Sequence, residues 1–521
     1  MPNRQQRMST PVSSVDAPSG SASRVNPAPR LFLIASVALI VLIAAMRAWV
    51  SWGSDAWINH PAGVLIAMAA DLKNGIFYRP LYSAVGYGGT RYFPLYFVLH
   101  AGLMKLGIPV LLGAYLLSAA SVAALLAGVF YLLRALGVEP WLAACSAASV
   151  LAAGCAQYSL LSPHADGMAS ALNVWGLAVS ARPNPSYRKV LLASLLFTLA
   201  WSAKVTTVFG VAATFVWFLA AGIPQMAWAL AAATGCGYLL VGGAMVLASQ
   251  GRIVEIFKAC ATGGTNLLGI AAGPWNMLVQ AARLDPAVLL FALLAMLALA
   301  HVVSTTSFSQ NLPALFLVAA LVVTAVIYGS PGLNENHLLD VQVASVVLIA
   351  FCVAHAEVPL YKQLGTSVLA LAILAATLPL LRQFKNRDLR FHRHRFQTVL
   401  DLVGDSGKPI LAENPVVPVL AGQQSYVLDP WMLRLLRTRT PGFGDPLLEG
   451  LRHRTFGAVV LCMADPKTNF GRWWFETTHF GPGFASALNE NYRLVKTVDD
   501  QKIYLPVEDG SGLAAAPPGG Q

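Results

Sequence analysis

Long apolar runs separated by short polar segments make up most of the chain between residues 31 and 381. A helix that crosses the hydrocarbon core of a bilayer needs about 20 mainly apolar residues. The pattern therefore predicts a polytopic α-helical membrane protein with about eleven transmembrane helices. The predicted spans are 31–50, 109–133, 141–161, 166–181, 190–203, 206–222, 226–249, 286–303, 313–329, 338–357 and 363–381. A further run, 93–107, is predicted to be a helix lying at the membrane interface.

The pattern changes after residue 381. A densely basic segment, 382–396, precedes a stretch with the composition of a soluble protein. Short strand-like runs alternate there with helix-like stretches such as DPWMLRLL, which predicts a small C-terminal α/β soluble domain over residues 382–507. The predicted strands are PILA (409–412), SYVL (425–428), FGAVVLCM (456–463) and the pair YRLVKTV and KIYLPV around 499–500.

Two tails and one large loop complete this organisation. Residues 1–30 form a predicted disordered cytoplasmic tail, and residues 508–521 form a second disordered tail. The predicted transmembrane domain, 31–381, contains a large first loop at 51–108. Composition agrees, because 56% of the residues are hydrophobic, 11% are charged and the mean hydropathy is +0.60. A soluble fold of this composition would have too little polar surface to cover itself.

Net charge and cysteine content exclude several other classes. The net charge of +11 is explained by loops that touch anionic lipid headgroups. The sequence shows no basic soluble module interleaved with aromatic residues, so membrane lipids and not nucleic acid are the expected partners. The six cysteines have neither metal-ligand spacing nor the spacing of a redox motif.

Charge bias in the loops predicts the orientation. The basic N-terminus and the loop RPNPSYRK at 182–189 should both be cytoplasmic, which requires that 93–107 does not cross the membrane. The first loop, the region around 164–166, Lys204 and the loop 329–340 then share the outer face. The C-terminal domain is placed outside as well, against its own basic segment, because charge bias governs short loops more than whole domains.

The first loop concentrates groups that can carry chemistry. It contains Asp55, His60, Asp71 and Arg91 among many aromatic residues. Asp55 follows the first span directly and lies beside tryptophans, whose rings favour the membrane interface. An alternative is that Asp55 only caps a short helix that begins near Ala56.

Other candidates interrupt or border the apolar runs. Ionisable groups at membrane depth are costly, so they are functional candidates by default. Lys204 separates two runs that are joined without a turn signal, although a lysine at a helix end can also extend to the interface. Asp166 and His164 precede a span, where Asp166 could be an N-cap, and Glu335 and His337 belong to a polar group between two runs. Acids near Lys, Arg and His favour an anionic lipid headgroup beside a base over an ion path.

The order of these pieces resembles a known family. The first span is followed by SDAWINH, by AADLKNGIFY (69–78), by an aromatic segment from Tyr92 to Tyr96, and later by Asp166 and by Lys204 with Thr206. This order is similar to that of the polyprenyl-phosphate-sugar-dependent membrane glycosyltransferases of the GT-C superfamily, especially the bacterial relatives of protein O-mannosyltransferases and of the lipid A aminoarabinose transferase. Many members carry an Asp-Glu pair in the first loop, whereas here Asp55 is followed by Ala56.

The resemblance implies a GT-C fold in the bacterial inner membrane and an inverting glycosyltransferase. Such an enzyme moves a sugar from a polyprenyl-phosphate carrier to a lipid, glycan or protein acceptor at the outer face. The leaving phosphate is a stable anion, so the enzyme needs cations to hold it and one base for the acceptor hydroxyl. Asp55 is the predicted base. The predicted substrate-binding residues are Arg91, Tyr92, His164, Asp166, Lys204, Glu335 and His337.

Two questions stay open at the level of sequence. A divalent metal is compatible with the family, but Ala56 in place of a second acid weakens a metal-bridging role for the first loop. The alternative function is a membrane transporter or flippase for a lipid-linked or polar substrate. Transporters usually show internal repeats with broken helices in matching positions, and this chain shows no such symmetry.

Overall fold

The computed structural model describes residues 26–260, 266–305, 308–330, 333–404, 407–462 and 464–507. The predicted tail 508–521 and residues 1–25 of the predicted tail 1–30 lie outside the described residues. The last residues of that N-terminal tail already belong to the first helix, which begins at Ala28.

Helices dominate the chain up to Gln383, and each of the eleven predicted spans lies on helical residues. The helices are α1 (Ala28–Ser54), α2 (His60–Lys73), α3 (Pro94–Lys105), α4 (Val110–Ala135), α5 (Pro140–Ser149), α6 (Gly154–Leu161), α7 (Asp166–Ser180), α8 (Tyr187–Ala203), α9 (Phe209–Ala220), α10 (Pro224–Ala248), α11 (Arg252–Cys260), α12 (Leu267–Leu284), α13 (Pro286–Thr305), α14 (Leu312–Ile327), α15 (Leu339–Ala354) and α16 (Pro359–Gln383). Short 3₁₀ turns at Val150–Ala152, Phe308–Gln310 and Glu335–Leu338 interrupt this order. The sequence pattern does not predict α11 and α12.

Not all of these helices have the length of a full crossing. In the described part of the chain, six helices are long and apolar enough to cross a membrane: α1, α4, α10, α13, the segment Glu335–Ala354 and the segment Pro359–Asp388. A seventh span results if α5 and α6, which meet at a bend of 80°, are counted together. The prediction of a polytopic helical membrane protein is confirmed at this level.

Small residues allow the inner helices to pack closely. Helix α7 is almost entirely buried and packs against α4 and α8. A Cβ atom added at Gly176 of α7 would lie 2.5 Å from a ring carbon of Phe197 on α8. Only glycine permits this approach, and such small residues are typical of interfaces between transmembrane helices.

The first loop folds into α2, a hairpin and α3. The hairpin pairs β1 (Tyr82–Ser83) with β2 (Gly86–Tyr87). The predicted helix start near Ala56 is wrong, because α2 begins at His60 with Asn59 as its N-cap; the Asn59 side chain accepts from the Ala62 N–H at 3.2 Å. Asp55 instead ends α1 in a left-handed conformation, with φ of 56°.

The C-terminal part combines a four-stranded sheet with short helices. Parallel β3 (Ile410–Ala412) and β4 (Ala458–Cys462) are followed in the sheet by antiparallel β6 (Gln501–Pro506) and β5 (Tyr492–Val498). The helices are α17 (Arg395–Val403), α18 (Val416–Leu420), α19 (Pro430–Arg439), α20 (Asp445–Arg452), α21 (Asn469–Trp473) and α22 (Phe484–Asn491), with π turns at Phe384–Asp388 and Trp474–Thr478. The predicted strand SYVL does not join this sheet; its Val427 makes an isolated parallel bridge with Tyr87.

The C-terminal part packs directly on the first loop. Ile58 and Ile66 share one apolar core with Phe396 and Ile410. The Asn414 side chain donates to the Ile58 carbonyl at 2.9 Å. The first loop therefore lies between the membrane helices and the C-terminal sheet, and residues from all three can reach a common site.

Candidate functional site

An ion pair between Asp166 and Lys204 forms the centre of the candidate site. The Lys204 ammonium lies 2.5 Å from Asp166 Oδ1, and the Asn336 amide donates to Asp166 Oδ2 at 3.1 Å. Asp166 begins α7, Lys204 ends α8, and Asn336 lies in the 3₁₀ turn before α15. Asp166 is not the N-cap of α7, which is Ala165. The Asp166 side chain is 8% exposed and the Lys204 side chain is 16% exposed. The pair is therefore largely shielded from solvent, but Lys204 remains accessible.

His164 extends this cluster toward the first loop. The Asn59 amide donates to the Tyr158 hydroxyl oxygen at 2.6 Å, and that hydroxyl lies 3.0 Å from His164 Nε2. The Tyr158 hydroxyl therefore contacts both Asn59 and His164 and links the His164 ring to the first loop. Burial lowers the pKa of His164 to about 4, so the ring is neutral near pH 7. Its buried Nδ1 has no hydrogen-bond partner of normal geometry among the described residues, although the Ser162 backbone is near enough to act on its pKa.

His337 repeats this feature on the other side of the ion pair. Its buried Nδ1 likewise has no hydrogen-bond partner among the described residues. Asp166, Lys204 and Arg91 are its charged neighbours, and the ring of His164 also lies nearby. The structure thus brings these predicted residues together from separate elements.

Tyr92 connects this cluster with the C-terminal part. Its charged neighbours include Asp166 and Arg91 as well as Asp429, which precedes α19. Burial raises the pKa of Tyr92, so its hydroxyl keeps its proton. The Tyr78 hydroxyl donates to the Tyr92 carbonyl at 2.8 Å and fixes the backbone there.

Two histidine–carboxylate pairs come from the C-terminal side. His60 Nε2 lies 3.2 Å from Asp429 Oδ1, and His479 Nδ1 lies 2.6 Å from Glu413 Oε1. The two imidazole rings are 5.0 Å apart. Burial acts to raise the pKa of Asp429, but the bond to His60 and the charges of His60 and Arg91 lower it below its ordinary value. The aromatic segment 469–483 therefore contributes His479 beside the first loop.

Sequence reasoning missed these C-terminal residues for a physical reason. Asp429 begins a helix-like stretch, where its side chain also accepts from the Met432 N–H at 3.3 Å, so its pattern is that of an ordinary N-cap. Glu413 lies in a soluble segment in which one acid is not unusual. His60 provides the only local signal, since it stands among the other polar residues of the first loop.

Asp55 lies in different surroundings from Asp166. The Tyr115 hydroxyl donates to Asp55 Oδ1 at 2.8 Å, and the ring of Trp52 stacks on Tyr115. Burial raises the pKa of Asp55, while the hydrogen bond from Tyr115 and the charges of Arg395 and His394 act in the opposite direction. The charged neighbours of Asp55 include neither Lys204 nor Arg91.

Asp71 and Glu335, the remaining predicted acids, have different partners. Asp71 accepts from Arg79 through both oxygens, at 2.5 and 2.8 Å, which is a structural ion pair of the first loop. Glu335 has Arg387 and Asp285 as its charged neighbours, and it directly precedes Asn336, which donates to Asp166. The carboxylate of Asp285, which the sequence pattern does not single out, accepts from the Cys155 N–H at 2.7 Å and holds the start of α6.

A second buried ion pair lies at the end of the membrane helices. Arg47 of α1 donates to Asp388 at 2.7 Å and to Gln157 of α6 at 2.7 Å. The Trp57 ring N–H donates to the other oxygen of Asp388, and the Arg387 guanidinium lies over the Trp57 ring. This group joins α1, α6 and the turn after α16.

The acidic residues do not fit a divalent ion. No group of three or more His, Cys, Asp or Glu side chains is arranged to hold a metal in the part of the chain that the structure describes. The charge of Asp166 is already neutralised by Lys204, and the positive charge of Arg395 acts on Asp55. No catalytic step is therefore assigned to a metal.

Solved structures share this fold at low sequence identity. ArnT from Cupriavidus metallidurans bound to undecaprenyl phosphate is 12% identical with a TM-score of 0.53, covering 90% of this chain and 98% of that chain. The oligosaccharyltransferase of Archaeoglobus fulgidus in complex with Zn and sulfate is 12% identical with a TM-score of 0.56, covering 88% and 71%. AglB from Archaeoglobus fulgidus in complex with an inhibitory peptide and a dolichol-phosphate is 10% identical with a TM-score of 0.53, covering 92% and 75%.

These likenesses define the fold class. The chain shares the overall fold of these solved structures, which agrees with the fold that the resemblance in its sequence predicts. No protein-family model and no curated protein sequence matches the chain.

Proposed function

We propose that this protein is a glycosyltransferase that moves a sugar from a polyprenyl-phosphate carrier to a lipid, glycan or protein acceptor. The observation that carries the proposal is the cluster of Lys204, Asp166, His164 and His337, in which a shielded cation lies beside two unpartnered ring nitrogens. The shared fold with ArnT, which was solved with undecaprenyl phosphate, supports this donor class.

Lys204 and Arg91 hold the phosphate of the donor in this mechanism. An ammonium group has three N–H donors, and Asp166 takes one of those of Lys204. The ring N–H of His164 and the ring of His337 supply further polar contacts to phosphate or sugar oxygens. Fixed cations stabilise the negative charge that develops on the leaving phosphate. Asp166 orients Lys204 and does not take part in proton transfer.

Asp55 is the proposed base. The acceptor oxygen forms its bond to the anomeric carbon while the bond from that carbon to the phosphate oxygen breaks, and its electron pair leaves with the phosphate. The acceptor proton moves to Asp55, whose burial makes it a stronger base than an exposed aspartate. One displacement inverts the anomeric carbon. In this proposal the acceptor is bound on the Asp55 side and the donor phosphate on the Lys204 side.

We further propose that the eleven predicted helices all cross a bacterial inner membrane. The N-terminus is then cytoplasmic, and the active site and the C-terminal domain, 382–507, are periplasmic. The ion pair of Asp166 with Lys204 and the bond from Asn336 support this orientation, since loop charge assigns all three residues to one face. An apolar core that lies mainly between Leu411 and Tyr504, and that Tyr87 of the first loop joins, supports the domain division.

Orientation is tested with single cysteines in a variant without native cysteines. Ala84 is exposed in the first loop, and Ser186 lies in the loop predicted to be cytoplasmic. An impermeant thiol reagent added to intact cells should label Ala84→Cys and not Ser186→Cys. Equal labelling of both positions contradicts the orientation.

The function is tested by reconstituting the full chain with polyprenyl-phosphate sugars. Release of polyprenyl phosphate together with glycosylation of an acceptor supports the proposal. If no such donor is consumed while a solute or a lipid-linked sugar crosses the membrane, the protein is a transporter or flippase.

A further inference from the structure

A cleft of about 510 Å³ opens between the end of α1 and the segment that follows α16. Its lining comes from α1 and the residue stretch after Asp388: Trp49, Val50, Trp52, Gly53, Ser54, Asp388, Leu389, Phe391, Arg393 and His394. None of these residues belongs to the cluster around Lys204. The cleft is therefore separate from the proposed donor site, but it borders the proposed base, because Ser54 directly precedes Asp55 and Trp52 stacks on Tyr115, which donates to Asp55.

The segment beside the cleft carries cations that the protein does not neutralise. Arg382, Lys385, Arg390 and Arg393 are exposed, and no acidic residue in the described ranges pairs with them. Two other arginines of the segment are used internally, because Arg387 lies over Trp57 and Arg395 donates to Asp500 at 2.6 Å.

The acid in the lining cannot balance this charge. Asp388 is completely buried, and its two oxygens already accept from Arg47 and Trp57 at 2.7 Å each. The open side of the cleft is thus basic and aromatic, which fits a ligand that bears negative charge.

The cleft lies where α1 leaves the hydrocarbon core. Helix α1 has 27 residues. At about 1.5 Å per residue it is roughly 40 Å long, whereas the core is about 30 Å thick. Trp49 near its end is 80% exposed, as expected for a ring at the headgroup level.

An apolar surface runs from the cleft along the membrane helices. Leu42 and Met46 on α1 and Leu378 and Leu381 on α16, two helices that pack together, are all exposed. Such side chains are stable in contact with lipid tails. A ligand with a charged head and long apolar chains matches both parts of this surface.

We propose that this cleft binds the headgroup of an anionic phospholipid, whose acyl chains lie along α1 and α16. Exposed cations near a membrane surface attract anionic headgroups, and the attraction adds up over several cations. The bound lipid joins the end of α1 to the basic segment that leads into the C-terminal sheet. It also neutralises a charge that would otherwise oppose the proposed outer placement of this segment.

Filling the cleft tests the proposal without changing any charge. A Cβ atom added at Gly53 or at Gly102 meets nothing within 4 Å, but only Gly53 lines the cleft. Gly53→Phe should fill the cleft, and Gly102→Phe is the matched control. The full chain is placed in nanodiscs of equimolar phosphatidylcholine and phosphatidylglycerol, extracted in mild detergent, and its retained lipids are identified by native mass spectrometry.

The wild type and Gly102→Phe should retain phosphatidylglycerol, and Gly53→Phe should lose it. Changing Arg390→Gln and Arg393→Gln together should weaken phosphatidylglycerol binding about 30-fold, from the attraction that two cations provide. The charge-matched control changes Arg493→Gln and Lys496→Gln, which are exposed on β5 and distant in sequence from the cleft. Melting temperatures in neutral nanodiscs check that all variants are folded.

Four results would overturn the proposal. The first is that Gly53→Phe retains phosphatidylglycerol as well as Gly102→Phe does, and the second is that the wild type retains phosphatidylcholine equally well. The third is that inorganic phosphate displaces the lipid, which would make the cleft a phosphate site. The fourth is that polyprenyl monophosphate is retained in preference to phosphatidylglycerol, which would assign the cleft to the donor carrier.

Discussion

The two buried ion pairs of this protein differ in what surrounds them. Arg47 and Asp388 are 1% and 0% exposed, and Gln157 and Trp57 occupy further hydrogen-bonding positions of the pair. Lys204 and Asp166 are 16% and 8% exposed, and they lie beside His164 and His337, each with an unpartnered Nδ1 among the described residues. We call the first pair closed because protein encloses it, although Arg47 Nη2 also has no hydrogen-bond partner among the described residues, and we call the second pair open because Lys204 is partly exposed.

The comparison shows how buried charged residues in a membrane protein can be interpreted. Burial makes either pair a functional candidate by default. Buried polar groups are normally hydrogen-bonded, so unused donors next to an accessible cation indicate a binding site more specifically than burial does. We therefore expect damage to the closed pair to affect stability and damage to the open pair to affect activity.

The largest expected effect is loss of stability in Arg47→Met. Removal of one partner leaves Asp388 as an uncompensated buried charge, which costs about 3–5 kcal/mol. The melting temperature in detergent should fall strongly, while the turnover of the folded fraction stays close to that of the wild type. Arg47→Met combined with Asp388→Leu should recover most of the stability. If both variants are as stable as the wild type, the pair does not hold these helices together.

Lys204→Met is expected to have the opposite signature. Loss of one fixed charge that stabilises the leaving phosphate should reduce turnover about 10²–10³-fold. Because Lys204→Met also leaves Asp166 unpaired, the control is the double variant with Asp166→Asn, which removes the charge imbalance. The double variant should fold normally and remain inactive in the polyprenyl phosphate release assay. Recovery of activity in it would remove Lys204 from phosphate binding.

The buried neutral state of His164 predicts an acid-sensitive fold. Its pKa of about 4 lies below the unfolded value, so the unfolded state binds more protons as the pH falls. Stability from this residue is complete above about pH 6.5 and is lost toward pH 4, by on the order of 3 kcal/mol. His164→Gln should flatten the dependence of melting temperature on pH in this range. The exposed His453→Gln is the control, and an equal effect of both changes contradicts the assignment.

Asp55→Asn should reduce turnover about a hundredfold, because a positioned general base contributes roughly this factor. Binding of the donor should not change, since Lys204 and Arg91 are intact. Tyr115→Phe removes only the hydrogen bond to Asp55 and should have a smaller effect. The measurement is turnover at saturating donor and equal protein level. Retention of most activity in Asp55→Asn eliminates it as the base and makes Asp166 the next candidate.

Local sequence patterns were sufficient to predict an element where its structure depends mainly on the surrounding lipid or water. The hydrocarbon core selects long apolar helices, so each predicted span overlaps helical residues, and six of the described helical segments have the length and hydropathy of a full crossing. The cost of a charge in such surroundings singled out Lys204 and Asp166. Competition between neighbouring capping residues was harder to resolve: Asp55 and Asn59 are both good N-caps, and the structure uses Asn59.

Sequence patterns predicted a helical membrane protein, a shared face for its polar residues and the residue types available for chemistry. Which of these residues meet depends on tertiary packing. Lys204 pairs with a residue 38 positions away, Tyr115 with one 60 positions away and Asp429 with one 369 positions away. Apolar periodicity specifies that each helix is buried but not which neighbour it contacts. Those contacts depend on the packing of the whole helix bundle and of the C-terminal sheet on the first loop.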